Sequence, residues 1–514
     1  MNQPSRRSLL VASAGLLLAG GIGLATFSEQ DEDNRDRSMT DPHRPLYHFA
    51  PQEGWMNDPN GLVYQDGTYH LFYQAGEDER RWDHATSANL VTWQEHGTKL
   101  PVEDGVQQFS GGAAIDEHDD AGFGPDAMIL AYTGHHEAAE KEDQRLAYST
   151  DRGETVTKYA GNPIIPSDHD DFRDPNIFQY GEGWRMVVSR VAPTQNRPTG
   201  IEIYSSDDLR SWTYENTYEL THSSGATAWE CPDLYELPVE GTEKTRWVMT
   251  NSADWDREVH YVGDFDGDEF VEDEQFLADE GHDFYAGMTW ANEPENRRLL
   301  VGWMSHWEYA HDIPDLGWKG MLSFPRRVTL EQSDGEVEIR QRPARELEKV
   351  RGKRLADITS ETIKPDEDPL AGTNAAGRAL VIEARIRTDD AEEIGFRVRE
   401  SASEQTKIAY HAGLEGLLFD RGSAGAFFDA DTFGRSYASL SPLADDTIEL
   451  QILLDTTSVE IFANDGQMAM SNLIFPDPES TGVSAYVKGG TAEIQRLVVD
   501  AVEPNAKTNT DSIL

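Results

Sequence analysis

One cysteine, Cys231, stands in 514 residues. A lone cysteine excludes an intrachain disulfide and any cysteine-built metal cluster, and its place deep in the chain argues against a lipid-anchored N-terminus. Lysine is scarce as well. Of 44 basic residues 11 are Lys and 33 are Arg, against 94 acidic residues, for a formal net charge of -50. Such a charge argues against nucleic acid and anionic membrane as partners. It would suit a disordered chain, but 10% aromatic residues and 12 Trp do not. What remains is a folded protein with an acidic, lysine-poor surface suited to molar salt, where screening acts over only about 3 Å; the expected source is a halophile. No metal-ligand spacing appears and no cofactor is called for. Asp168, Asp170 and Asp171 read as a solvated acidic loop rather than a calcium site.

Ser5-Arg6-Arg7-Ser8-Leu9-Leu10 leads into an apolar, Gly/Ala-rich run ending near Phe27. Paired arginines before a modest apolar run resemble a twin-arginine export signal over residues 1–28, which would send the protein out already folded. Residues 29–42 form an acidic linker. Contact with a membrane is expected only if the N-terminal segment is kept as an anchor. The remaining length is enough for two well-buried cores.

The first core is a repeat. Asp58-Pro-Asn-Gly-Leu-Val-Tyr64, Asp174-Pro-Asn-Ile-Phe-Gln-Tyr180 and Glu230-Cys-Pro-Asp-Leu-Tyr235 each put a carboxylate beside a proline and enter a short apolar run. Each is followed by a turn and a second strand, such as Tyr69-His-Leu-Phe-Tyr73 or Trp184-Arg-Met-Val-Val188. Asp58 to Asp174 is 116 residues and Asp174 to Glu230 is 56, so one unit is hidden between the first two, at Ser110-Gly-Gly-Ala-Ala-Ile115. A further step lands on Ala286-Gly-Met-Thr-Trp290. Five units of about four strands describe a five-bladed β-propeller over residues 43–338. Asp58, Asp174 and Glu230 are expected at equivalent stations of the channel-lining strands, and so together in one pocket.

Residues 339–364 read as a linker. Leu380–Ile386, Glu393–Val398, Thr447–Leu454 and Ser458–Phe462 then alternate as strands with a turn at Asn464-Asp-Gly466, which predicts a β-sandwich over 365–503 and a disordered tail over 504–514. The fold class is all-β.

Carboxylates in a pocket have bland readings, a bound cation or part of an acidic surface. Position raises these three above that level, and Asn57, Gln74, Trp82 and Arg173 add polar and stacking groups suited to a sugar. Two carboxyl groups flanking a glycosidic bond are what glycoside hydrolysis needs, and a third nearby raises the acid's pKa by like-charge repulsion.

Trp55-Met-Asn-Asp-Pro-Asn-Gly61, Phe172-Arg-Asp-Pro175 and Trp229-Glu-Cys-Pro-Asp-Leu-Tyr235, in this order and spacing, closely resemble the signature boxes of glycoside hydrolase family 32. Phe109-Ser-Gly-Gly112, Asp283-Phe-Tyr-Ala286, Gly302-Trp-Met304, Leu322-Ser-Phe-Pro-Arg326 and the segment Leu454–Gly466 resemble further stretches of that family, so that the likeness spans about 43–500. The resemblance implies a retaining β-fructosidase acting on sucrose, levan or inulin. It implies Asp58 as nucleophile, Glu230 as general acid/base and Asp174 as transition-state stabiliser. It also implies Asn57, Gln74, Trp82, Ser110 and Arg173 on the fructosyl ring, with Phe109 and Trp303 as walls. Trp82-Asp83-His84 departs from the family's Trp-Gly-His, which bears on the leaving-group side. Cys231 reads as a small buried residue. Two rivals share these residues: a fructosyltransferase, which would build oligofructan at high sucrose, and an inactive fructan-binding protein, which would need no acid/base pair.

Overall fold

The computed structural model describes residues 41–503 except 168–170, 192–193, 195–196, 220–227, 334 and 426–429. The expected export signal, nearly all of the acidic linker, the tail and Asp168 and Asp170 lie outside the described residues. Strands dominate those residues, and no helix among them is long and apolar enough to cross a membrane.

Strands β1 (Gly54–Gln65), β2 (Thr68–Ala75), β3 (Arg81–Ser87) and β4 (Gln94–Leu100) form an antiparallel meander. Its first hairpin turns on Asp66-Gly67, with φ of 48° and 90°, the two left-handed residues that a tight turn between right-twisted strands requires. A second sheet holds β5 (Gln107–Phe109), β6 (Ala113–Asp116), β7 (Ala127–His136), β8 (Lys141–Ser149) and β9 (Thr157–Lys158), and a third holds β10 (Phe172–Tyr180), β11 (Gly183–Arg190), β12 (Gly200–Ser206) and β13 (Thr213–Tyr218). A fourth meander, β14 (Trp229–Glu240), β15 (Thr245–Ala253), β16 (Arg257–Phe265) and β17 (Phe270–Leu277), is followed by β18 (Tyr285–Thr289), β19 (Arg298–Trp303), β20 (Trp318–Lys319), β21 (Arg326–Ser333) and β22 (Glu336–Pro343). A short parallel pairing of β14 with β21, at Val239 and Leu330, fuses the last two groups into one eight-stranded sheet. β20 leaves its neighbours and pairs with β1.

β1 touches β6, β6 touches β10, β10 touches β14, β14 touches β18, and β18 returns to β1, so the inner strands close a ring in the manner of a β-propeller. Apolar layers glue successive sheets together. Val63, Phe72 and Trp82 meet Met128, Leu130 and Tyr132; Ile129 and Ala131 meet Phe172, Ile177 and Met186; Val187 and Ile203 meet Trp229, Leu234 and Met249. Emptying such a layer by one Leu→Ala change costs about 2–5 kcal/mol. Where the inner strands come closest, a side chain does not fit: the Gly112 amide donates to the Pro175 carbonyl at 2.8 Å, and a Cβ on Gly112 would lie 2.1 Å from Asn176 Oδ1.

Two sheets pack face to face in the C-terminal part. One orders β23 (Arg351–Ile363), β33 (Ala492–Val502), β24 (Leu380–Arg387), β29 (Thr447–Leu454), β30 (Ser458–Ala463) and β31 (Met468–Leu473). The other orders β28 (Arg435–Ser439), β27 (Gly416–Ser423), β26 (Gln405–His411), β25 (Glu393–Glu400) and β32 (Gly482–Lys488). Ile382, Ile386, Phe396, Ile408, Leu450 and Ile461 are among the residues that fill the space between. The expected linker over 339–364 is corrected here: Arg351–Ile363 is the edge strand of the first sheet, paired with β33 throughout. An edge strand is blunted against aggregation by charge. Lys353, Arg354, Asp357 and Glu361 therefore hide its alternation.

Ring and sandwich share a charged, buried seam. His48 bonds Asp455 at 2.9 Å and Glu460 at 2.8 Å, Arg326 bonds Glu460 at 2.8 Å and forms an ion pair with Asp279 at 2.8 Å, and Arg421 bonds Asp283 at 2.6 Å. The amides of Leu46, Tyr47 and His48 also donate to Asp455, which ties the chain ahead of β1 to the sandwich.

Candidate active site

The inner strands bend where the site lies. In β10, Asp174-Pro175 stand opposite one residue, Val188; in β14, Cys231-Pro232 stand opposite Asn251; in β18, Ala286-Gly287 stand opposite Gly302. The first residue of each bulge is left-handed, with φ of 64°, 51° and 54°. Bulges re-aim side chains and are common beside active sites. They also correct the expected equivalence of the three carboxylates. The counterpart of Asp174 on β14 is Cys231, and Glu230 stands one residue earlier, at the station of Arg173 on β10 and Tyr285 on β18. These three join in a row: Arg173 Nη1 donates to Glu230 Oε1 at 2.9 Å and Tyr285 Oη donates to Glu230 Oε2 at 2.8 Å.

Asp58 sits in the bulge of β1. Asn57 Nδ2 donates to its Oδ1 at 2.9 Å, and Ser110 Oγ donates to its Oδ2 at 2.5 Å. Asn57 Nδ2 also donates to Gln74 Oε1 at 2.6 Å. Asp174 accepts the Cys231 amide at 3.0 Å, while its own amide donates to Thr133 Oγ1 at 2.9 Å. The Cys231 sulfur lies 3.9 Å from Asp58 Oδ2 and 3.6 Å from Asp174 Oδ2, so both carboxylates flank one atom. Asp58, Asp174 and Glu230 are 9%, 3% and 5% exposed.

Of the other expected contacts, Asn57, Gln74, Ser110 and Arg173 join this network directly. Trp82 is fully buried and donates its indole N–H to the Phe109 carbonyl at 3.0 Å, while the Phe109 ring stacks on His135 with centroids 4.3 Å apart. Trp303 packs against Trp55 and Trp307, and its indole N–H is buried without a protein partner. Asp83, which stands in place of the glycine of Trp-Gly-His, accepts from Arg81 and Thr98. Asp171 pairs with Arg173.

The sequence reading missed Glu142, Tyr285 and Arg80. Glu142 holds Arg173 Nε at 3.1 Å, Tyr285 holds Glu230, and Arg80 Nη1 donates to Asn57 Oδ1 at 2.6 Å. Tyr285 lies inside a family-like segment and was within reach; Arg80 is one of few cations near the first box; Glu142 carries no signal among so many acids.

Burial raises the Asp58 carboxyl above the ordinary range, the Ser110 and Asn57 hydrogen bonds pull it down, the Glu230 charge raises it and Arg80 lowers it. Burial and then the Glu230 charge raise Asp174, against Arg173. Burial, followed by the charges of Asp174 and Asp58, pushes the Cys231 thiol up, which keeps it neutral and unfit as a nucleophile. For Asp58 and Asp174, burial and the neighbouring Glu230 charge both favour the neutral form.

A β-propeller with clustered, buried carboxyls on its inner strands is the equipment of a glycosidase. Residues 48–343 match the glycosyl hydrolases family 32 N-terminal domain, and residues 346–501 match the family's C-terminal domain. The chain belongs to glycosyl hydrolase family 32, and is a glycoside hydrolase. It is 36% identical over 511 residues to a levanase of Bacillus subtilis strain 168, covering 94% of this chain and 72% of the relative. It is 30% identical over 506 residues to an extracellular exo-inulinase of Aspergillus awamori, covering 88% and 93%. The crystal structure of an exo-inulinase from that fungus superposes with a TM-score of 0.83 at 27% identity, over 90% of this chain and 99% of the other. A β-fructofuranosidase of Schwanniomyces occidentalis complexed with fructosyl-erythritol gives 0.78 at 26% identity, over 89% and 97%.

Proposed function

We propose that the chain releases terminal fructose from β-fructans and sucrose with retention of configuration. Glu230 gives its proton to the leaving oxygen as an Asp58 oxygen attacks the anomeric carbon, forming a fructosyl-Asp58 ester. Glu230 then takes a proton from water, which attacks the same carbon and frees Asp58. Asp174 and Arg173 hold the ring while positive charge develops. The observation that carries this reading is the convergence of Asp58, Asp174 and Glu230 in one buried cluster. Asn57 and Ser110 orient Asp58, one on each oxygen, and Arg173 and Tyr285 orient Glu230 in the same way, while the division of roles between the two follows the family boxes. The near-complete burial of these carboxylates, beside a cluster in which Trp55, Trp303 and Trp307 pack with Cys231 and Tyr285, supports attack on chain ends. The expected carboxyl separation for retention is about 5–5.5 Å.

Asp58→Asn and, separately, Glu230→Gln should each lower kcat on sucrose and levan by about a thousandfold or more, with unchanged melting. Near-normal turnover in either variant refutes its assigned role. Free fructose as the main product at high sucrose separates hydrolysis from fructosyl transfer.

The same reading takes the ring as five blades, supported by the five inner strands that touch in succession. It takes residues 1–28 as a twin-arginine export signal; replacing Arg6 and Arg7 together by Lys should leave the enzyme inside the cell, and undiminished export would dispose of it.

A further inference from the structure

Arg80 is held more firmly than a loop residue needs to be. It closes the turn between β2 and β3, where its amide donates to Gln107 Oε1 at 3.0 Å and its carbonyl accepts the Gln108 amide at 2.9 Å. Its guanidinium lies over Trp55, 5.5 Å from the ring centroid, and over Trp307 at 5.9 Å. From there Nη1 reaches Asn57 Oδ1, which also accepts the Trp55 indole N–H at 2.8 Å. With two donors on its oxygen and two acceptors on its nitrogen, the Asn57 carboxamide has one orientation open to it. That orientation points Nδ2 at Asp58 Oδ1.

The electrostatics point the same way. Asp58 is faced by Asn57 on its own strand, by Ser110, by Asp174 from β10, by Glu230 and Cys231 from β14, and by buried Glu258 from β16. Arg173 is already engaged by Glu142, Asp171 and Glu230. The cation on the Asn57 side of the nucleophile is Arg80.

We propose that Arg80 is a positioning residue for the nucleophile, fixing Asn57 and through it Asp58, and opposing the negative charge of the neighbouring carboxylates. The proposal rests on Asp58 being the nucleophile. Arg80 acts through Asn57 and its charge, and takes no proton in the reaction. Arg→Met keeps most of the stem that packs on the tryptophans and removes both donor and charge; Arg→Lys keeps the charge and loses the planar fork.

The test is the pH dependence of kcat/KM for fructose release from sucrose, with melting temperatures, for wild type, Arg80→Met, Arg80→Lys and Asp58→Asn. The acidic limb reports ionisation of a group in the free enzyme. In Arg80→Met it should move to higher pH and kcat should fall about tenfold. In Arg80→Lys the limb should return toward the wild-type position while kcat stays low. A merely structural residue would lower the melting temperature without moving the limb. If Met unsettles the turn, the Lys variant decides alone: a wild-type limb with reduced kcat supports the proposal, and wild-type kcat overturns it. An unmoved limb in a folded Arg80→Met variant, with Asp58→Asn inactive, overturns the role of Arg80 alone. Turnover by Asp58→Asn would overturn both assignments.

Discussion

Glu142 illustrates how a charge in the site is held by a buried neighbour. It is 1% exposed on β8, where it accepts Arg173 Nε at 3.1 Å and the Phe172 amide at 2.8 Å, with His135 at 3.2 Å. Burial alone would raise this carboxyl; the Arg173 charge and His135 bring it down to about 2. A depressed folded value contributes stability above the ordinary carboxylate range near 4.5, and that contribution is lost as pH falls through about 2. The Arg173 anchor therefore persists through mildly acidic conditions. Glu142→Gln keeps the shape and removes the charge, freeing Arg173 from the side that aims it at Glu230. A buried charge-assisted hydrogen bond is worth about 1.5–3 kcal/mol, so kcat/KM should fall roughly 10- to 100-fold in a folded variant. A wild-type value would remove Glu142 from the site. Asp58, Asp174 and Glu230 were legible because each is marked by its neighbours in a repeated box. Glu142 was not, because one acid among 94 looks like any other until the fold places it.

Strand positions read well from alternation with turn residues, since a half-buried strand must alternate. Two kinds of element did not. An edge strand such as β23 carries charge where a central strand carries valine, so its pattern resembles a linker until β33 is seen beside it. The bulges on β10, β14 and β18 shift the register without any residue type unique to them, as Asp174, Cys231 and Ala286 all occupy the same left-handed place. The offset was present in the numbers: the prolines of the second and third boxes, Pro175 and Pro232, keep the spacing of the repeat, whereas Glu230 falls one short. Counting from carboxylate to carboxylate hid it. The physical consequence is that Glu230 projects from the arginine station rather than the aspartate station. That lets Arg173 and Tyr285 bracket it, one on each oxygen.

Family-like segments outside the three boxes fall largely at the seam between ring and sandwich. Arg326 ends one of them, Asp283 opens another, and Asp455 and Glu460 lie in the sandwich segment. Their side chains are fully buried, and removing one partner from such a pair strands a charge at a cost of about 3–5 kcal/mol. This seam bears on the molecule's response to salt, because a buried ion pair is shielded from the solvent that screens exposed charge. Added salt should therefore leave the seam intact while relieving repulsion across a surface whose formal net charge is -50. The screening length falls from about 10 Å at 0.1 M to about 3 Å at 1 M. The two terms do not cancel, so the folded state gains. The expected outcome is a melting temperature higher by roughly 5–10 °C in 2 M than in 0.1 M potassium chloride, with hydrolysis of levan rising in parallel. Scans at several heating rates would separate slower unfolding from greater equilibrium stability. Equal melting temperatures at the two salt concentrations would mean that the acidic surface is already neutralised within the fold, and the halophilic reading would fall with it.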